Sequence, residues 1–260
     1  MFINLLRYVG VYRFYENYLK NQISKSNPPV HIALILDGNR RWAKSKFIPE
    51  WMGHFAGANI VDDLLDWCVE LDVKIITLYA LSAENLTRPQ PEVDRLFEII
   101  SSKLSELLNE PKIDQYRVHV KGLGDSSLLP TEIQEKIKKI EIKTQYYDGL
   151  FFNLALAYGG RSEILEAVKN VATEVIDGSI EIDNITNEMV ENHLSTSHLS
   201  SPEPDLVIRT SGEERLSGFL LWQSAYSELV FLDVYWPDFR KIDLMRAIRT
   251  YQNRNRRYGE

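Results

Sequence analysis

An acid, a glycine, an amide and two arginines follow one another at Asp37, Gly38, Asn39, Arg40 and Arg41, directly after an apolar run over residues 32–36. Such a run followed by glycine reads as a strand buried on both faces that turns at once into a helix. In an open α/β sheet, ligands sit beyond the carboxyl ends of the strands, so Asp37 stands where a substrate would bind. A helix beginning near Asn39 aims free backbone N–H groups at the same point, which suits a phosphate. A carboxylate repels phosphate, but it can hold a Mg²⁺ ion that binds phosphate oxygens. The guanidinium groups of Arg40 and Arg41 neutralise further charge. The competing structural reading is an aspartate that only caps the next helix.

Two more polar loops follow apolar runs. The first is 82–89, with Ser82, Asn85 and Arg88. The second lies in DLVIRTSGEERLSG and sets Arg209, Arg215 and Ser217 within nine residues. Forked arginine donors beside a hydroxyl match a diphosphate. The alternative is a solvated loop whose arginines pair with Glu213 and Glu214. Glu228 ends the apolar AYSE segment, either as a second metal ligand with Asp37 or as a strand cap. His54 serves a helix start or takes a catalytic part. Asp62, Asp63 and Asp66 spell DDxxD, a motif that binds Mg²⁺ and diphosphate in all-trans prenyl synthases when two copies face each other. Here there is one copy, and it shares a polar helix face with Asn59 and Glu70, so it reads as a solvated face.

The elements that must position these residues alternate. Strands are expected at 32–36, 73–81, 117–123, 150–157, 205–208 and 229–232. Helices are expected from Gly53 to about Leu71, and over 92–108, 130–145, 162–176, 187–194 and from Asp243 onward. Residues 42–52 read as a polar, Pro-broken link. This is the pattern of an α/β fold: a single domain with a mostly parallel central sheet of about six strands, covered by helices on both sides. Residues 1–27 form an N-terminal arm ahead of a domain at 28–260. Its amphipathic helix over 2–23 either packs on the domain or rests on a membrane surface or guards an apolar cleft. The helices over 60–71 and 93–108 have apolar faces able to line a tunnel, a pattern that a packed core also gives.

The chain has 260 residues, 44% of them hydrophobic and 26% charged, and a formal net charge of −7. That balance argues against a nucleic-acid partner. The lone cysteine, Cys68, excludes an intramolecular disulfide and a cysteine-based zinc site, and fits a reducing cytosol. No run is long enough for a membrane span, and the first ten residues lack a signal-peptide pattern. There is no P-loop and no evident Ser-His-Asp order.

HIALILDGNRRWAK, GHFAGA, TLYALSAENLTRP, LALAYGGRSEI and DLVIRTSGEERLSGFLLWQSAYSELVF followed by WPDF resemble, in order, the signature regions of the cis-prenyltransferases, the undecaprenyl and dehydrodolichyl diphosphate synthase family. The likeness runs from Pro28 to the C-terminus and looks more archaeal than bacterial. It implies a Mg²⁺-dependent condensation of isopentenyl diphosphate onto an allylic diphosphate, geranylgeranyl or farnesyl, to make a long Z-polyprenyl diphosphate for a glycosyl carrier lipid. By that resemblance Asp37 binds Mg²⁺ and assists departure of the allylic diphosphate. Gly38, Asn39, Arg40, Arg41 and Trp42 cradle it, with His54 beside it and Arg88 in support. Ser82 and Asn85 act near the reacting carbons. Arg209, Arg215 and Ser217 hold isopentenyl diphosphate, and Glu228 shares the metal with Asp37. The resemblance also implies a homodimer, a cytoplasmic enzyme with peripheral membrane contact for product release, and a basic C-terminal tail that reaches a neighbouring active site.

There are departures from the family pattern. Glu50 stands where the family often has an arginine, and Leu86 where a tryptophan is common. Glu50 leaves open a branch that couples prenyl units irregularly. A non-catalytic subunit paired with a catalytic homologue is a further alternative.

Overall fold

Strands without a polar face must be covered on both sides. The structure, a computed structural model that describes residues 10–254, has this arrangement. β1 (His31–Ile35) and β2 (Ile75–Tyr79) are buried at every position. With β3 (Val118–Leu123), β4 (Leu150–Ala155), β5 (Leu206–Arg209) and β6 (Glu228–Phe231) they form one six-stranded sheet. Every pairing is parallel, in the order β3-β4-β2-β1-β5-β6. Side chains alternate across it: Ile32 and Leu34 enter one core, Ala33 and Ile35 the other. The expected single-domain α/β fold is therefore present.

The helices are α1 (Val11–Ile23), α2 (Asn39–Ser45), α3 (Glu50–Glu70), α4 (Gln90–Asn109), α5 (Pro111–Gln115), α6 (Thr131–Thr144), α7 (Gly160–Ile176), α8 (Asn187–Asn192) and α9 (Lys241–Asn253). The link expected over 42–52 is not there. α2 runs to Ser45 and α3 starts at Glu50, three residues before the glycine expected to open it. Pro49 takes the N-cap and Glu50 puts an acid in the first turn, where the helix dipole favours it. The described part of the N-terminal arm packs on the domain. Leu19 is fully buried, Lys241 pairs with Glu16 at 2.7 Å, and Arg246 donates to the Tyr15 hydroxyl at 3.1 Å. The helix expected over residues 2–9 and the basic tail at 255–260 lie outside the described residues. Among those described, no helix is long and apolar enough to cross a membrane.

A polar seam runs through the sheet. His31 Nδ1–H donates to the Ser201 carbonyl at 2.9 Å, and its Nε2 accepts from the Thr77 hydroxyl at 2.8 Å. Burial lowers the His31 pKa from 6.5 to about 4, and the same cause lowers His198 to about 4. Both rings fold neutral, and the unfolded chain binds more protons between those limits. Stability from this source is complete above pH 6.5 and is lost as the pH falls towards 4. The urea midpoint is expected to hold steady between pH 8 and 7 and to drop steeply from pH 6.5 to 4.

Candidate active site

The sheet register assembles the site. Ile35 is level with Tyr79 on one side and Arg209 on the other, and Tyr79 is level with Ala155. The loops at Asp37, Ser82, Gly160 and Arg209 therefore leave the sheet along one line. The strand order reverses between β1 and β5, and α/β sheets open their ligand crevice at such a point. A cleft of about 940 Å³ lies there. Its lining brings together Asp37, Gly38, Asn39, Arg40, Arg41, His54, Ser82, Asn85, Arg88, Arg209, Arg215 and Ser217. Trp42 is not in the lining; it sits in α2.

Arg209 is 4% exposed and organises the cleft. Its Nη2 donates to Asp37 Oδ2 at 2.7 Å and its Nη1 to Ser217 Oγ at 2.7 Å and to the Arg215 carbonyl. The Gly38 N–H donates to Asp37 Oδ1 at 2.6 Å. Arg41 donates to Ser211 Oγ at 2.6 Å and pairs with Glu213 at 3.0 Å, and Arg215 also pairs with Glu213. Burial pushes the Asp37 carboxyl up, but the Arg209 bond and charge, Gly38 and Arg41 outweigh it and hold it below the usual range. Asp37 is thus ionised at neutral pH. The cleft lining carries seven arginines and lysines against three acids, in a chain whose net charge is −7.

Gly38, at φ +102°, makes the turn from β1 into α2, and no side chain caps that helix. Ser82 caps the turn Ala83–Thr87 in a reciprocal box with Asn85, which fixes both side chains at the cleft wall. Arg88 bonds Glu92 at 2.9 Å, and Arg40 approaches the same acid at 3.7 Å. Three buried polar atoms of cleft residues have no hydrogen-bond partner among the described residues, Asn39 Oδ1, His54 Nε2 and Arg209 Nε, and neither has Trp42 Nε1 in α2 outside the lining. Native proteins rarely leave such groups unpaired without a ligand or a function. Burial, then the charge of Arg88, lowers His54 to about 4, so its ring is neutral.

The cleft continues into an apolar bore of about 120 Å³ between the sheet, α3 and α4. Leu36, Asn39, His54, Ala80 and Leu96 line both spaces. The tunnel expected from the apolar helix faces is present as this bore.

Glu228 is not part of the site within the chain. It pairs with Leu206 at the amino end of β6, three positions before Phe231, the partner of Arg209. At about 3.3 Å per residue it lies on the order of 16 Å below Asp37 along the sheet. It pairs instead with Arg254 at 2.7 Å. The error was to read Glu228 as the end of a buried run when it begins a strand. The acidic face of α3 is also less solvated than expected. Asp62 accepts from Lys103 at 3.2 Å, and Asp66 from Lys112 at 2.8 Å and the Tyr116 hydroxyl at 3.0 Å. Sequence reasoning gave no role to Gly160, Arg161 and Ser162, which line the cleft at the start of α7. Their signal was the YGGR step directly after an apolar run.

With that geometry in place, comparison with known proteins is specific. The prenyltransferase family model of undecaprenyl diphosphate synthases matches residues 35–259. The chain is 46% identical over 259 residues to tritrans,polycis-undecaprenyl-diphosphate synthase (geranylgeranyl-diphosphate specific) of Methanocaldococcus jannaschii, covering 100% of this chain and 92% of that protein. It is 48% identical to the protein of the same name from Thermoplasma volcanium, covering 95% of each. The crystal structure of lavandulyl diphosphate synthase from Lavandula x intermedia, in complex with dimethylallyl diphosphate, superposes with a TM-score of 0.87 at 38% identity, covering 90% of this chain and 99% of that one.

The fit of α3 against α2 depends on missing side chains. A Cβ at Gly53 would meet the Asn39 carbonyl oxygen at 2.1 Å, and one at Gly57 the Asn39 side chain at 2.3 Å. Gly53→Ala is expected to cost about 1–3 kcal/mol in urea unfolding, because the obstacle is backbone.

Proposed function

The chain belongs to the undecaprenyl diphosphate synthase family of prenyltransferases, and on that premise we propose that it is a Mg²⁺-dependent cis-prenyltransferase that extends geranylgeranyl diphosphate with isopentenyl diphosphate to a long Z-polyprenyl diphosphate for a glycosyl carrier lipid. The observation that carries this is the continuity of a cationic cleft with an apolar bore, which matches a diphosphate head on a hydrocarbon chain. The names of the archaeal relatives support geranylgeranyl over farnesyl diphosphate as primer.

The allylic C–O bond breaks, the diphosphate leaves with the electron pair, a C–C bond forms to the isopentenyl double bond, and a proton is lost. The residues at hand suit each step. Gly38, Asn39, Arg40 and Arg41, with Arg88 and His54, hold the allylic diphosphate. Arg209, Arg215 and Ser217 hold isopentenyl diphosphate. Ser82 and Asn85, fixed by their reciprocal bonds, flank the reacting carbons. Orientation in one pocket supplies much of the rate. Among the described residues no three potential ligands cluster as a metal site. Asp37, ionised and lining the cleft, fits Mg²⁺, which commonly takes one or two carboxylates and completes its shell with substrate phosphates and water. When bound, the ion would neutralise charge on the departing diphosphate.

The enzyme is proposed to act in the cytoplasm as a homodimer with peripheral membrane contact. Asp37, Asn85, Arg209 and Arg215 share one cleft, which favours a catalytic chain over a non-catalytic subunit. The purified chain with Mg²⁺, labelled isopentenyl diphosphate and a C20 primer is expected to give long products, and less with a C15 primer. EDTA should abolish the reaction. No elongation with either primer would overturn the reading, and a branched C10 product from dimethylallyl diphosphate supplied alone would favour irregular coupling.

Asp37→Asn keeps the volume and an acceptor for Arg209. It should lower kcat roughly 100-fold or more with little change in Tm. Arg215→Ala should raise KM for isopentenyl diphosphate about tenfold, from the loss of charge-assisted bonds. The primer KM should move less, and equal shifts would show that the two diphosphate sites are misassigned.

A further inference from the structure

The acidic face of α3 has no part in the cleft, yet it reaches the bore. Asp62 and Lys103 both line that bore, among otherwise mostly apolar side chains. At about 120 Å³ the bore is well below the several hundred Å³ of ordinary ligand sites. A growing chain therefore needs it to widen. One wall is the sheet, through Leu78, Phe152 and Leu154, and the backbone ladder fixes it. The other wall is the seam between α3 and α4, so widening parts these helices.

Among the described residues, Lys103 with Asp62 is the only ion pair that joins α3 to α4, at 3.2 Å. Lys103 is also held from its own helix by Glu106 at 2.6 Å. The lysine is largely covered, with 19% of its side chain exposed, whereas Asp62 is 46% exposed. A pair with one wet partner is weak enough to open reversibly. Its position facing the bore makes it sensitive to what fills the bore.

We propose that Asp62 and Lys103 form a latch across the tunnel seam that sets the length of product released. This rests on the elongation reaction proposed above. The hydrocarbon chain lengthens into the bore until it reaches the latch. Further growth must part α3 from α4, and release competes with that opening.

Lys103→Met keeps the stem and removes the charge; Asp62→Asn keeps the shape and removes the other charge. Each is assayed beside wild type with Mg²⁺, labelled isopentenyl diphosphate and a C20 primer, with products resolved by chain length. The main product is expected to lengthen by at least one five-carbon unit in each variant. The exchanged pair, Asp62→Lys with Lys103→Asp, should restore the wild-type length. Unchanged or shorter products in the single variants, or an exchanged pair that behaves like them, would overturn the latch. A wild-type chain that does not elongate overturns the reaction itself, and the latch with it.

Discussion

The Asp37 carboxylate and the Arg209 guanidinium meet at 2.7 Å between the ends of β1 and β5, and the cleft is built around that contact. A guanidinium taken out of water costs several kcal/mol unless its donors are paired. Arg209 answers that demand at Nη1 and Nη2 with three oxygens from two segments, Asp37, the Arg215 carbonyl and Ser217, and leaves Nε without a partner among the described residues. In doing so it folds its own loop back over the strand end. Ser211 at φ +79° and Ser217 at φ +49° occupy left-handed backbone positions that L-residues adopt reluctantly, and such positions persist where surrounding bonds determine them. The parallel register comes first in this order of causes, because it sets Ile35 level with Arg209 before any side chain chooses a partner.

The same contact accounts for the character of the cleft. The arginines that face each other there are kept apart from collapse by Asp37 and Glu213, which they share. An incoming diphosphate, with or without a metal ion, offers these donors a better acceptor than two singly charged carboxylates. Concave walls concentrate that positive field although the whole chain is acidic. The bore removes water from the other half of an amphiphile. A ligand with only a charged head, or only a hydrocarbon tail, would use half of this space.

Strand ends were the legible part of the sequence. Continuous apolar runs such as residues 32–36 admit few interpretations, and the polar residue that follows each is placed by the sheet. That logic located Asp37, Ser82 and Arg209 without tertiary information. It failed at Glu228, because a residue at the border of an apolar run can begin a strand as well as end one, and the two choices put it at opposite ends of the sheet. The joint between α2 and α3 was misread for another reason. Polar residues and Pro49 look like a link, yet proline is well tolerated at a helix start, and Gly53 and Gly57 let α3 press on Asn39. The acidic face of α3 was amphipathic as read. Its partners on α4 and α5 lie about 40–50 residues away, beyond any local pattern.

Glu50 tests how far family likeness governs a site. An acid where an arginine is common would weaken a diphosphate site if its charge faced the cleft. It does not line the cleft. Glu50 sits in the first turn of α3 and pairs with Lys44 at 3.1 Å, and that bond holds its carboxyl below the usual range. The dipole of α3 favours an acid at this end, so the residue serves the helix and pairs with Lys44 at the cleft rim without itself lining the cleft. Positive charge around His54 then rests on Arg40 and Arg88, both within reach of Glu92. The reversal therefore leaves the cleft cationic and shifts its charge onto arginines drawn together from α2 and from the loop that precedes α4.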